Sequence, residues 1–113
     1  MLALPETRED CPFGPEVTVV KVADRMFATL GESDGLWRMN LKCDPDEAQM
    51  LRDIFAAVLP GYHMNKRHWN TVLLDQTVPR GELERMIDSS YDLVVSGLPA
   101  RRRTPLQRQR GKP

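Results

Sequence analysis

The chain has 113 residues, with 16 basic and 16 acidic side chains and a hydrophobic share of 41%. That supports one modest core and leaves too little chain for two domains. No apolar run approaches the ~20 residues of a membrane span, and no basic, then apolar, leader is present in residues 1–15. Cys11 and Cys43 make no disulfide framework, which predicts reduced thiols in a cytoplasmic protein.

Pro5, Pro12, Gly14 and Pro15 break the first 15 residues, and Met1–Leu4 reads as the last turn of a truncated helix. Glu16–Val22 (EVTVVKV) is rich in β-branched residues and predicts a strand. Ala23-Asp24 turns the chain into a second strand, Arg25–Leu30. A polar turn at Gly31–Gly35 leads to a third, Leu36–Lys42. There Leu36, Arg38, Asn40 and Lys42 share one side, and Trp37, Met39 and Leu41 the other. Short turns between the three imply an antiparallel meander.

Asp44 caps the first complete predicted helix, with Pro45 at its first position and Glu47 three residues after the cap. Ala48, Leu51, Ile54, Phe55 and Val58 recur at helical spacing up to Pro60-Gly61. Tyr62–Lys66 reads as a short strand and His68–Leu74 as a longer one. Pro79 opens a second helix, with Leu83, Met86, Ile87, Ser90, Tyr91, Val94 and Leu98 on one stripe, and Gly97-Leu98-Pro99 stops it. The predicted order is (α)-β-β-β-α-β-β-α. This is an α+β, two-layer fold with an antiparallel five-stranded sheet and helices on one face.

The zero net charge hides an asymmetry. Residues 99–113 carry Arg101, Arg102, Arg103, Arg108, Arg110 and Lys112 and no acid, leaving 10 bases against 16 acids in residues 1–98. The body, at −6, repels a polyanion on average, so only a local patch or the tail attracts one. Leu106 is the tail's one large aliphatic residue, so the prediction is a domain at 1–98 and a disordered Arg-rich tail at 99–113.

Four segments carry a more specific signal: Cys11–Gly31 (CPFGPEVTVVKVADRMFATLG), Asn40–Pro45 (NLKCDP), Pro60–Leu74 (PGYHMNKRHWNTVLL) and Ser89–Pro99 (SSYDLVVSGLP). Together they resemble the MmcQ/YjbR family of small bacterial proteins over roughly residues 4–99. The resemblance implies the fold order read above, preceded by a complete first helix. It also implies DNA binding, in a fold likened to double-winged DNA-binding arrangements. The Arg-rich extension goes beyond the shared motifs.

His63, Asn65, Lys66, Arg67, His68 and Trp69 form the candidate nucleic-acid site, helped by Arg101, Arg102 and Arg103. Cations and amides interleaved with an aromatic ring suit phosphate contact and base stacking. A hairpin here would project its Asn65–Arg67 tip like a wing. Trp69 also suits a place in the core. Tyr62, His63, Asn65 and Trp69 equally suit a small-ligand pocket, and a protein-interaction or chaperone-like adaptor is the rival from another class. Asp92 is expected to pair with a base of residues 63–68, and Tyr91 to anchor the last helix. Histidines five apart, with no CxxC or HExxH, argue against a metal. Ser89 and Ser90 lack a nucleophile context, so no enzymatic activity and no cofactor are expected. The sequence specifies no oligomeric state.

Overall fold

In the computed structural model, described over residues 4–12, 16–61 and 64–110, alternation of apolar and polar residues builds one antiparallel sheet. Its strands are β1 (Thr7–Asp10), β2 (Val17–Val22), β3 (Arg25–Ser33), β4 (Leu36–Lys42), β5 (Val58–Pro60) and β6 (Trp69–Leu73). Their order across the sheet is β1-β2-β3-β4-β6-β5. The helices are α1 (Pro45–Ile54), α2 (Arg80–Ser96) and α3 (Ala100–Gln109). The meander turns on two-residue loops, Ala23-Asp24 (φ 50° and 64°) and Asp34-Gly35 (φ 55° and 78°). Both loops have the two positive φ values whose twist suits a tight hairpin.

The α+β reading holds, with α1 lying over β5 and β6 and α2 over β2, β3 and β4. Val20, Val22, Phe27, Ala28, Met39, Leu41, Val58 and Val72 meet Ala48, Leu51, Met86, Tyr91, Val94 and Val95 in one core. Strand periodicity sends the intervening residues to the opposite, helix-free face. A bulge between Val20 and Lys21 of the β2–β3 ladder sets Phe27 beside Ala28 in the core. Ser90 on α2 closes the gap: its Oγ donates to the Phe27 carbonyl at 2.5 Å and accepts from the Lys42 amide at 2.8 Å. Tyr91 anchors α2 as expected. Its ring meets Phe27 edge-on with centroids 5.4 Å apart, and its hydroxyl donates to the Pro5 carbonyl at 2.7 Å.

Several expectations need correction. The sheet has six strands rather than five, because Thr7–Asp10 pairs with β2. The first helix ends at Ile54, where Phe55 turns extended (φ −116°, ψ 119°), so Val58 is buried as part of an edge strand. No strand covers Asn65–Lys66, which lie in the β5–β6 connection; Tyr62 and His63 lie outside the described residues.

The segment read as a disordered tail is helical over Ala100–Gln109. Docking supplies what composition lacks: Leu106 is 1% exposed against the core cluster. The Arg110 guanidinium lies 5.5 Å from the Tyr91 ring centroid and bonds the Asp92 carboxylate at 3.3 Å. Asp92, expected to pair with a base of residues 63–68, pairs with Arg110, which follows it in the chain; His63 lies outside the described residues. The truncated first helix read at Met1–Leu4 falls mainly on residues outside the described ones.

Candidate nucleic-acid interface

The Pro60–Leu74 stretch does form a hairpin, since β5 and β6 are antiparallel and joined by residues 61–68. Its tip is organised by Asn65, whose side-chain oxygen accepts from the Arg67 amide at 3.0 Å and whose carbonyl accepts from the His68 amide at 3.2 Å. Asn65 therefore shapes the turn. From the helix side, Arg52 donates to the Lys66 carbonyl at 2.6 Å and to Asn70 Oδ1 at 2.9 Å. Asn70 in turn donates to the Ala48 carbonyl, so it is a buried joint between β6 and α1.

With their backbone held, the side chains of Lys66, Arg67 and His68 are exposed. Among the described residues none of the three has an ion-pair partner. The acids that open α1 are partly engaged nearby: Asp44 caps the helix through the amides of Asp46 and Glu47, and Glu47 pairs with Arg85 at 2.6 Å.

Trp69 is half-buried on the helix-free face, directly opposite Lys42 in the β4–β6 register. It is thus outside the helix-side core. Gly61 fits against it, since a Cβ there would lie 2.8 Å from Trp69 Cβ. On the same face Asn40 donates to Thr29 Oγ1 at 2.9 Å and accepts from Thr71 Oγ1 at 2.5 Å, a polar seam across three neighbouring strands.

Half of the carboxylates stand on the helical layer: Asp44, Asp46, Glu47, Asp53, Glu82, Glu84, Asp88 and Asp92. The helix-free face presents Arg8, Lys21, Arg38 and Lys42. Against them, Asp10 pairs with Lys21 at 3.3 Å, and Asp24 in the β2–β3 turn pairs with Arg8 at 2.7 Å. The helical layer answers its own acids with arginines: Arg80 pairs with Glu84, Arg85 with Glu47 and Glu82, and Arg110 with Asp92. Arg38 and Lys42 share the polar side of β4, as its alternation predicts. The alignment of Arg8 with Lys21 depends on β1–β2 pairing, which no local pattern announces.

Arg101 and Arg102 are exposed on α3, while Arg103 donates to the Ser96 carbonyl at 3.4 Å. Arg102 also lines an open recess of about 410 Å³ with Arg8, Lys21 and Asp24. Burial pushes the Cys43 thiol up to about 11, with Glu47 and Asp44 adding to the shift, so it is an unreactive core group. Among the described residues no cluster of histidine, cysteine and carboxylate side chains is arranged to hold a metal. No described helix is long and apolar enough to cross a membrane.

Residues 2–93 match the model of the YjbR family. The chain belongs to the YjbR family. Its relatives include YbdF of Escherichia coli O157:H7, 38% identical over 100 residues, covering 88% of this chain and 82% of that protein. YjbR of Escherichia coli K12 is 36% identical over 88 residues, covering 78% and 75% respectively. Among solved structures, Deinococcus radiodurans DR2400, carrying domain DUF419, superposes with a TM-score of 0.85 at 38% identity, covering 97% of this chain and 81% of that one. A Pseudomonas syringae crystal structure gives 0.69 at 29% identity, covering 79% and 87%. The YjbR match ends within α2, whereas the similarity to DR2400 extends over most of the chain.

Proposed function

We propose that this YjbR-family protein is a DNA-binding module of the cytoplasm, without catalytic activity, that grips nucleic acid mainly through sequence-independent phosphate contacts. The observation that carries the reading is the exposed tip Lys66-Arg67-His68, held by Asn65 and Arg52 and leading directly into Trp69. A braced cationic tip suits phosphate contact because little order is lost on binding. Arg101 and Arg102 add a second basic element, with Arg103 behind them. The acidic outer surface of α2, with Glu82, Glu84 and Asp88, argues against a recognition helix there.

Fluorescence anisotropy with a labelled duplex over a salt series tests the reading. The Lys66→Ala/Arg67→Ala double variant should weaken binding at least tenfold. It should also flatten the slope of log K against log salt by about 2, the loss of two phosphate contacts. Unchanged affinity and slope would remove the tip from the interface.

One observation favours a rival, a protein-interaction adaptor. Met50 and Ile54, one turn apart on α1, are 50% and 60% exposed, and Leu59 on edge strand β5 is 41% exposed. If Met50→Glu/Ile54→Glu abolishes a partner interaction while the tip variant leaves it intact, the adaptor reading replaces the first.

A further inference from the structure

Strand register brings the two basic segments to the same end of the sheet. β1, β3 and β6 begin there, and β2, β4 and β5 end there. The β5–β6 loop lies at one corner of that end. At the other, Arg102 of α3 lines an open recess with Arg8 and Lys21, which Glu6 and Asp24 also line. Between the corners, on the helix-free face, runs a row in two paired stretches: Arg8 opposite Lys21 and Lys21 opposite Met26 across β1–β3, then Lys42 opposite Trp69 across β4 and β6. Five strands at about 4.8 Å spacing make this row about 19 Å long.

Resting on the nucleic-acid reading above, we infer that this row is a track for a single-stranded nucleic acid, laid across the strands from Arg102 to the β5–β6 tip. The cations are spaced for a backbone of phosphates, while Trp69 offers a ring on which an unpaired base stacks, a contact that duplex bases cannot make. Met26 adds an apolar, polarisable floor between Lys21 and Lys42. The Lys42 ammonium has no carboxylate partner among the described residues. The Arg8–Asp24 pair is largely solvent-exposed, so a phosphate displaces its carboxylate at little cost; Lys21, held by Asp10 at 3.3 Å, is more enclosed and exchanges that carboxylate for a phosphate at a greater one. The acids of α1 and α2 lie on the other side of the sheet, away from this row.

The experiment uses the full chain carrying Trp37→Phe, which leaves Trp69 as the one tryptophan of two, titrated with oligothymidylate of about 12 nucleotides and with duplex of equal length. Quenching of Trp69 emission by the single strand, with at least tenfold weaker binding in Lys42→Gln and in Trp69→Leu but not in Trp69→Phe, supports the track. Circular dichroism of each variant guards against misfolding. Single-strand binding that leaves Trp69 emission unchanged and depends only on Lys66 and Arg67 overturns the track and keeps the proposed function. So does a clear preference for duplex. No binding to either nucleic acid at low salt overturns both.

Discussion

Ser90→Ala removes one oxygen and creates almost no cavity, so its cost measures hydrogen bonding. The hydroxyl serves two backbone groups that the sheet does not: the Phe27 carbonyl at the bulge and the Lys42 amide at the end of β4. Ser90 is 0% exposed, so water cannot replace it without opening the α2–sheet contact. Orphaning a buried backbone group costs about 1–3 kcal/mol, and two such groups give about 2–4 kcal/mol with the Lys42 amide counted low, because it is only part-buried. With a urea m-value of about 1.5 kcal/mol/M, the midpoint falls by about 1.3–2.7 M at unchanged slope. Equilibrium urea unfolding followed by circular dichroism reads this directly. A midpoint within about 0.3 M of the parent would show that Ser90 does not hold the bulge to β4.

Gly61→Ala should destabilise the hairpin, because the new Cβ meets Trp69 Cβ at 2.8 Å and the Trp69 carbonyl oxygen at 3.0 Å, both attached to strand backbone; a shift in Trp69 emission with a lowered melting temperature checks it. Leu106→Ala should release α3 at a cost of no more than the docking energy of that helix, below the ~2–5 kcal/mol of a central-core truncation, and hydrogen exchange should show protection lost at residues 100–110 while β3 and β4 keep theirs. Stability should fall on the alkaline side. Burial raises the Cys43 thiol from 9.0 to about 11 and the Tyr91 phenol from 10.0 to about 12, Arg110 partly opposing the latter. The folded state therefore holds protons that the unfolded chain releases, so these contributions are complete below pH 9 and decline through pH 12; urea midpoints from pH 8 to 11 would show the decline, and a flat profile would contradict it. A thiol reagent at neutral pH should label exposed Cys11 and spare buried Cys43 until denaturant is added.

Much of the fold was legible because its elements announce themselves locally. β2 and β4 alternate strongly, and α1 has a cap, a proline at N1 and acids in its first turn. β1 was hidden because TRED has no apolar residue; its structure comes from the ladder it forms with β2. β5 was hidden because Val58 continues the helical stripe of Leu51 and Phe55, and only the extended Phe55 backbone breaks it. α3 was hidden because Pro105 and a run of arginines argue against a free-standing helix, and Leu106 and Arg110 act through partners distant in sequence. The hairpin tip could be read from adjacent residues. The cationic row could not, because Arg8, Lys21, Lys42 and Trp69 are neighbours only through strand pairing.

The central claim is that a protein with an acidic body binds nucleic acid through one basic edge. Anisotropy of a labelled oligonucleotide with the full chain, from about 0.02 to 0.3 M salt, tests it most directly. Six engaged cations (Arg102, Arg8, Lys21, Lys42, Lys66 and Arg67) predict a slope of log K against log salt near −4 for a single strand, at about −0.7 per contact. Absence of binding at the lowest salt, or a slope near zero, would contradict the account.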